Sequence, residues 1–226
     1  KVISHEKGYD VLELAKILSQ YKTVILHIHP EDIVTAVALG IVRRHFDIRV
    51  VFINHADHVF SYGYCSSDIV AEVSSFGFAL SRARRGVASS YLGIPLPVPH
   101  FPECRNLKSQ KLNIFSSGSS GKFNPIKNYS YIKLTKKILR KVSGSKVTII
   151  GPSYRKNFWW VLKIMYPLRL KLYKVLSYEK YIQFIQSADV YIDSLPMSGG
   201  TAISEVRAKG IPVTGVSTGA LGYSVF

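Results

Sequence analysis

The stretch 188–213 has residue types and spacings that could bind a nucleotide. Its candidate binding residues are Ser198, Gly199, Gly200, Thr201 and Glu205. The glycines leave no side chain between the backbone and a ligand. The N–H groups of a helix that begins at Thr201 would carry partial positive charge, so a phosphate fits there. Glu205 lies one turn further on the same face, where its carboxylate can accept hydrogen bonds from ribose hydroxyls. The pattern indicates a nucleoside diphosphate site, although glycine-containing strand-to-helix turns also occur in parallel α/β proteins without this function.

Lys122 is a second candidate phosphate ligand, in a segment of small residues at 116–125. Small residues let the backbone approach a ligand closely, and the lysine offers a point charge. The segment is not a P-loop, because only two residues separate Gly118 from Gly121 and Phe123 stands where that motif needs Ser or Thr. The spacing alone is equally compatible with a flexible turn that ends in a solvated lysine.

Residues that could transfer a proton follow the apolar run 48–53, namely His55, Asp57 and His58. In an open α/β sheet, ligands bind beyond the carboxyl ends of the strands, and histidine titrates near neutral pH. His29, together with His27, follows the preceding apolar run in the same way. Two alternatives remain: a zinc site, although the spacing matches no common one, and structural histidines bonded to backbone carbonyls at strand ends.

Two further groups of side chains could contact a partner. Arg84 and Arg85 could bind an anionic acceptor, although a run of solvated charges is the more frequent arrangement. The stretch 158–174 mixes aromatic and basic residues, which suits a membrane interface. A helix and a strand that pack in the core with their lysines outside would explain this composition as well.

The elements that would position these residues alternate between helix and strand, which is typical of parallel sheets covered by helices. The first series comprises helices at 9–21 and 31–45 and strands at 23–27 and 48–53. A proline-rich stretch at 92–109 indicates a linker. The second series comprises strands at 111–116, 146–150, 168–175 and 188–193 and helices at 129–142, 157–165 and 178–186. We therefore predict two α/β domains, at 1–105 and 106–226.

The composition is that of a folded protein with an uneven charge. The chain has 226 residues, is 47% hydrophobic and carries a formal net charge of +16. Residues 1–110 hold 12 Lys and Arg against 10 Asp and Glu (+2), and residues 111–226 hold 18 against 4 (+14). A basic half suits an anionic donor or acceptor, a membrane surface or nucleic acid. Two cysteines favour a reducing cytoplasm. No signal peptide and no apolar run of the ~20 residues needed to span a bilayer is visible.

Three of these motifs resemble parts of GT-B glycosyltransferases. The stretch 188–213 resembles their donor-binding unit, in which an acidic strand precedes a small-residue turn and a helix with a ribose-binding Glu, here Glu205. The Gly-Gly-Thr version occurs in bacterial glycan-assembly enzymes and the O-GlcNAc transferase family. Many GT-B enzymes carry a second Glu at the turn, where this chain has Ser198 or Gly199. Lys122, before a Phe-x-Pro step, looks like the lysine that holds the donor diphosphate. The string 54–60 resembles an acceptor-side turn of bacterial polysaccharide glycosyltransferases.

The resemblance implies an α/β fold with two Rossmann-like domains of GT-B type, incomplete at both ends; that the chain opens on Lys1 also suggests a fragment. It implies transfer of a sugar from a nucleotide-diphosphate sugar to a cell-surface polysaccharide or lipid-linked acceptor, with no cofactor and no metal. If the reaction inverts, His55, Asp57 or His58 would be the base; if it retains, none is needed. We expect a cytoplasmic protein, at the inner face of the membrane if it associates with one.

Two other functions remain open at this point. A nucleotide-sugar epimerase can have the same fold. A non-enzymatic basic module could bind nucleic acid, but the Lys and Arg residues are dispersed and no aromatic stacking platform is interleaved with them.

Overall fold

The computed structural model describes residues 2–3, 8–57, 59–96, 111–216 and 218. The chain divides into two compact units, Lys1–Pro95 and Leu96–Phe226. The domain boundary expected between residues 105 and 106 lies outside the described residues, so its position stays a prediction.

Unit 1 is a four-stranded parallel sheet in the order β1-β2-β3-β4 with helices between the strands. Its elements are α1 (Val11–Leu18), β1 (Thr23–Leu26), α2 (Ile33–Arg43), β2 (Arg49–Asn54), a 3₁₀ turn (Tyr62–Ser66), β3 (Ile69–Glu72), α3 (Ser75–Leu80), a π turn (Ser81–Arg85) and β4 (Ala88–Tyr91). Aspartates start the first two helices: Asp10 accepts a hydrogen bond from the Glu13 N–H and Asp32 from the Thr35 N–H.

The core of unit 1 lies between this sheet and its helices. Leu39 on α2 and Val50 and Phe52 on β2 are fully buried together. The register of β2 against β3 places Asn54 opposite Glu72, so the last residues of these two strands meet at the carboxyl edge of the sheet.

Unit 2 is a five-stranded parallel sheet in the order β7-β6-β5-β8-β9. Its elements are β5 (Asn113–Ser117), a 3₁₀ turn (Ser120–Phe123), α4 (Tyr131–Lys141), β6 (Lys146–Ile150), α5 (Trp159–Met165), β7 (Leu170–Tyr173), α6 (Tyr178–Ser187), β8 (Val190–Ile192), α7 (Thr201–Ala208) and β9 (Val213–Thr214). The chain moves outward from β5 to β7 and then returns to the other side of β5. The strand order therefore reverses between β5 and β8.

Helices cover both faces of this second sheet. Residues of α4 and α5, including Tyr131, Leu139 and Trp159, share one core cluster. Residues of α6 and α7, including Ile185 and Ile203, belong to another. This doubly covered parallel sheet is the Rossmann-like arrangement that the sequence predicts.

The expected α/β class is confirmed, and the elements predicted from the sequence are present with ends shifted by a few residues. Residues 69–91 are different: β3, α3 and β4 were not predicted. Each is four to six residues long and β4 contains two serines, so neither periodicity nor composition identified them. Within the described part of the chain, no helix is both long and apolar enough to cross a bilayer.

Candidate functional site

The carboxyl edge of the sheet in unit 2 brings together the residues predicted to bind a donor. β5 and β8, the neighbours between which the strand order reverses, are followed by the loops 118–123 and 193–200. Ligands of open α/β sheets bind in the crevice outside such a reversal point. Lys122 lies in the first loop, and Ser198, Gly199 and Gly200 lie in the second.

Asp193 shapes the second loop, a role that the sequence did not suggest. Its buried carboxylate accepts hydrogen bonds from the Ser198 hydroxyl at 2.5 Å and from the Gly199 N–H at 3.0 Å to each oxygen. A Cβ atom on Gly199 would lie 3.0 Å from Asp193 Oδ1, so the absence of a side chain there permits the close approach. Burial raises the pKa of Asp193, while these hydrogen bonds and the charge of Lys122 oppose that shift.

Lys122 connects the two loops. Its Nζ donates a hydrogen bond of 2.9 Å to the Ser198 carbonyl, and its side chain is half-buried. Burial lowers the pKa of Lys122, and the nearby Asp193 carboxylate partly offsets that effect. The ammonium group is therefore fixed beside the turn that leads into α7.

The N-terminus of α7 faces the same edge. The helix begins at Thr201, and its N-cap residue Gly200 has no side chain that could bond to the first turn. The N–H groups of the first turn have no partner within the helix and carry its positive dipole end. Thr201 is exposed, and Glu205 lies one turn further along and is half-buried.

A pocket of about 550 Å³ opens beside the loop that contains Lys122. It lies at the carboxyl ends of β5, β6 and β7 and is lined by Gly118, Ile150, Gly151, Val175, Leu176 and Tyr181, among others. Its volume is within the range of about 300–1,000 Å³ typical of small-molecule sites. Gly151 has φ +119°, and a Cβ atom there would lie 1.8 Å from the Gly118 carbonyl oxygen. Only glycine permits this contact between the two loops.

Tyr181 relates the pocket to Glu205. Its ring lines the pocket, and its buried hydroxyl has no hydrogen-bond partner within normal distance among the described residues. Burial and the nearby Glu205 carboxylate raise the pKa of Tyr181 well above its usual value. Glu205 therefore lies close to this pocket, which the spacing in the sequence could not show.

The carboxyl edge of unit 1 is organised around a buried carboxylate, Glu72, which the sequence analysis missed. The side chain is fully buried, and Asn54 Nδ2 donates a hydrogen bond of 2.7 Å to it. The Ser81 hydroxyl also bonds to Glu72, and Arg85 lies 3.3 Å from it as an ion pair. The signal available in the sequence was a single acidic residue at the end of a short apolar run.

Asp57 is also buried, and its carboxylate accepts a hydrogen bond from the Ser74 hydroxyl. Ser74 in turn caps α3 through the Gly77 N–H at 2.8 Å. Glu72 and Asp57 pack so closely against Gly77 that a Cβ atom there would lie 2.4 Å from Glu72 Oε2. These contacts connect Asp57 to the start of α3, and its role as a base stays a prediction.

His55 is exposed and lies beside His27, with 4.8 Å between the ring centroids. Partial burial lowers the pKa of His55 below its ordinary 6.5, and the neighbouring His27 and His29 lower it further. His29 Nδ1 accepts a hydrogen bond from the Glu31 N–H at 3.3 Å. His58, the third member of the predicted set, lies outside the described residues.

The two arginines predicted on the acceptor side differ in their surroundings. Arg84 is exposed. Arg85 pairs with Glu72, donates to the Asp57 carbonyl at 3.3 Å and lies over the Tyr64 ring at 4.1 Å. Arg85 therefore holds the turn that carries His55. In the described parts of the chain, no group of three or more His, Cys, Asp and Glu side chains is arranged to hold a metal ion.

The fold is shared with solved GT-B glycosyltransferases. The structure of a lipopolysaccharide outer core galactosyltransferase, WaaB, matches with a TM-score of 0.64 and 15% identity over 91% of this chain and 59% of that one. The pneumococcal O-GlcNAc transferase GtfA, in complex with UDP and GlcNAc, matches with a TM-score of 0.60 and 13% identity over 90% and 44%. An S. aureus TarM mutant in complex with UDP matches with a TM-score of 0.58 and 13% identity over 91% of this chain and 43% of that one.

These structures identify the fold of this chain as that of GT-B glycosyltransferases, as the sequence resemblance implied. No protein-family model and no curated protein matches the chain. The chain spans 59% or less of the length of these three solved structures, and at 13–15% identity the likeness establishes the fold alone.

Proposed function

We propose that this protein transfers a glycosyl group from a nucleotide-diphosphate sugar to a glycan or lipid-linked acceptor. The observation that carries the proposal is the convergence of three features at the carboxyl edge of unit 2. These are the ammonium group of Lys122, the open N-terminus of α7 and the pocket of about 550 Å³. The GT-B fold of the chain supports it.

The donor would bind in a single orientation. Its diphosphate would accept hydrogen bonds from the N–H groups of the first turn of α7 and from Lys122. Its nucleoside would occupy the pocket that Ile150, Val175 and Leu176 line, with the ribose hydroxyls directed at Glu205 near Tyr181. This orientation combines charge at one end with apolar contact at the other, as a nucleoside diphosphate requires.

In catalysis, Lys122 and the dipole of α7 would stabilise the charge that develops on the departing diphosphate. In an inverting reaction, His55 is the best placed of the described candidate bases. It is exposed, and its lowered pKa keeps it neutral and able to accept the proton of an acceptor hydroxyl near neutral pH. Asp57 and Arg85 would act by holding the turn 54–57.

Calorimetry with UDP, ADP and GDP and their hexose conjugates tests the donor site. GtfA and TarM are described with UDP, and a starch synthase of similar fold with ADP, so these nucleotides are the first to test. We expect one of them to bind, and Glu205→Gln to weaken its binding by about 1.5–3 kcal/mol because a charge-assisted ribose hydrogen bond is lost. Lys122→Ala should raise the activation free energy of transfer by more than it lowers the free energy of unfolding.

Lys209→Ala is the matched control, because this exposed lysine lies at the opposite end of α7. Equal nucleotide affinity for the parent and Glu205→Gln would exclude the ribose role. No binding of any nucleotide would contradict the proposal as a whole. Conversion of the nucleotide sugar to its epimer without an acceptor would identify an epimerase instead.

A further inference from the structure

One helix of unit 2 presents an apolar face to solvent. Trp159 and Leu162 of α5 point into the core, but Trp160 and Ile164, one turn apart on the outer face, are 44% and 67% exposed. Met165 at the end of the helix is exposed too, and the flanking residues Phe158 and Leu168 are 71% and 84% exposed. The outer face of a surface helix is normally polar, so this cluster of large apolar side chains indicates an interaction site.

The neighbouring helix α4 presents a strongly basic face. Its exposed residues are Lys133, Lys136, Lys137, Arg140 and Lys141. Both helices connect strands in the same direction, from β5 to β6 and from β6 to β7, and their buried residues share one core cluster. Because such connections are right-handed, α4 and α5 cover the same side of the sheet. The basic face and the apolar face are therefore adjacent.

No acidic residue interrupts this surface. The sequence contains no Asp or Glu between Glu103 and Glu179, a stretch of 75 residues with 17 Lys and Arg. Lys163 does not cover the apolar face either, because its ammonium group donates to the Pro167 and Leu170 carbonyls at 2.7 and 2.5 Å. Within the described residues of this stretch, the surface thus combines exposed apolar side chains with positive charge and no acidic side chain.

We propose that the α4–α5 surface, formed by α4, α5 and the turn to Leu168, docks on an anionic lipid bilayer. Trp160, Ile164 and Leu168 would enter the headgroup region, and the basic residues of α4 would contact the anionic headgroups. The inference concerns the location of the protein and does not depend on the donor site.

Other partners fit these residues less well. Exposed Ile164, Met165 and Leu168 offer nothing to a phosphate backbone. The exposed aromatic side chains of Phe158 and Trp160 lie close together in the sequence instead of alternating with basic residues along a track. A second copy of the chain would bring another net charge of +16 against this face. A bilayer satisfies both the apolar and the basic part.

Intrinsic fluorescence can test the docking, because the chain has two tryptophans in different surroundings. Trp159 is 1% exposed and Trp160 is 44% exposed. With vesicles of phosphatidylcholine and phosphatidylglycerol (3:1), we expect sedimentation with the vesicles, a blue shift of the emission and quenching by brominated acyl chains. Vesicles of phosphatidylcholine alone should bind at least roughly tenfold more weakly, since each basic residue near an anionic surface contributes about fivefold. Trp160→Phe should abolish the shift while preserving sedimentation.

Two variants separate the apolar from the basic part. Ile164→Ser with Leu168→Ser should reduce vesicle binding by at least roughly tenfold, because two exposed apolar side chains are lost. Lys136→Gln with Lys137→Gln should reduce it by about 25-fold at low salt and by less at high salt. Leu12→Ser, at an exposed leucine of α1, and Lys209→Gln are the matched controls and should bind like the parent. Unchanged melting temperatures would establish that all variants fold.

Several outcomes would overturn the proposal. One is equal vesicle binding by the parent and the variants of α4 and α5. Another is binding of duplex DNA or RNA with no binding of vesicles, which would assign the basic face to nucleic acid. A third is a concentration-dependent dimer that Ile164→Ser dissociates, with no vesicle binding, which would make the apolar face a protein interface.

Discussion

The two sheets of this chain are built alike but end differently. At the carboxyl edge of unit 1, the buried carboxylates of Glu72 and Asp57 are already bonded to side chains of the same unit. At the carboxyl edge of unit 2, glycine loops leave a pocket, and a helix N-terminus has no side-chain cap. Parallel strands provide the same edge in both units, and the residues that follow them decide whether the edge is filled or open.

The two edges can contribute to a site in different ways, one as a rigid support and the other as an open pocket. The filled edge of unit 1 fixes the backbone of the turn 54–57 and leaves His55 as an exposed side chain on a rigid support. The open edge of unit 2 keeps the N–H donors of α7 and the ammonium group of Lys122 beside a cavity, so that a ligand can complete the site. The comparison predicts that substitutions in the buried network of unit 1 reduce stability without changing nucleotide binding, whereas substitutions at the edge of unit 2 reduce nucleotide binding.

Among the substitutions at the open edge of unit 2, we expect the largest effect from Gly151→Ala, which adds a Cβ atom between its two loops. The new Cβ atom would meet the Gly118 carbonyl oxygen at 1.8 Å, in a backbone conformation that only glycine adopts easily. Strain and overpacking together should lower the free energy of unfolding by about 4 kcal/mol, and nucleotide binding should be lost. Gly121→Ala, where a Cβ atom meets nothing within 4 Å, should change stability by less than about 1 kcal/mol. Urea denaturation and calorimetry of both variants measure this, and similar behaviour of the two would contradict the role of the loop contact.

The filled edge can be weakened by Glu72→Gln, which keeps the shape but removes the charge opposite Arg85. Loss of one partner of a buried ion pair costs about 3–5 kcal/mol, and we expect about 3 because Arg85 remains 18% exposed. The denaturation midpoint of unit 1 should fall, while the nucleotide affinity of unit 2 should stay unchanged. Glu31→Gln, at an exposed carboxylate, should have an effect within about 0.5 kcal/mol. A Glu72→Gln protein as stable as the parent would show that the network does not hold this edge.

His55 tests whether the filled edge supports catalysis. His55→Ala should lower the transfer rate by about 10²-fold or more, which is the usual scale for a general base. Nucleotide binding should stay unchanged. Because the pKa of His55 is lowered by partial burial and by His27, the neutral base persists to lower pH, and the rate should decline at a lower pH than with an unperturbed histidine. His27→Ala removes a neighbour that lowers this pKa, so the decline should move to higher pH. Full activity of His55→Ala would remove this histidine from the mechanism; a lowered melting temperature with loss of binding would indicate a structural role.

Much of the fold could be predicted from the sequence because long apolar periods and glycine turns are local signals. The helix at Thr201, the strand before Asp193 and the lysine loop at Lys122 all lie within short stretches whose residues are neighbours in the chain. The short elements at 69–91 could not be predicted, since their stability comes from contacts with strands far away in the sequence. The hydrogen bond from Asn54 to Glu72, for example, spans 18 residues.

For the candidate sites, too, the sequence shows what is local and does not show what depends on tertiary contacts. Residue types identified His55, Asp57 and Lys122, but not how they are used. The pairing of Arg85 with Glu72 and the position of Glu205 beside Tyr181 depend on tertiary packing, which spacing along the chain does not encode. The tryptophan pair is divided: Trp159 lies in the core, as the packing interpretation predicts, and Trp160 lies at the surface. The membrane interpretation of this stretch stays a prediction.

The hydrogen bond from Lys122 to the Ser198 carbonyl has a consequence for the apparent enthalpy of nucleotide binding. A phosphate that took this carbonyl's place would substitute one hydrogen bond for another, and it would also bring a negative charge to an ammonium group whose pKa burial has lowered. The pKa of Lys122 would then rise on complex formation. In alkaline solution the protein would take up protons as the nucleotide binds, so the apparent enthalpy would vary with the ionisation enthalpy of the buffer. Lys122→Met would abolish that variation.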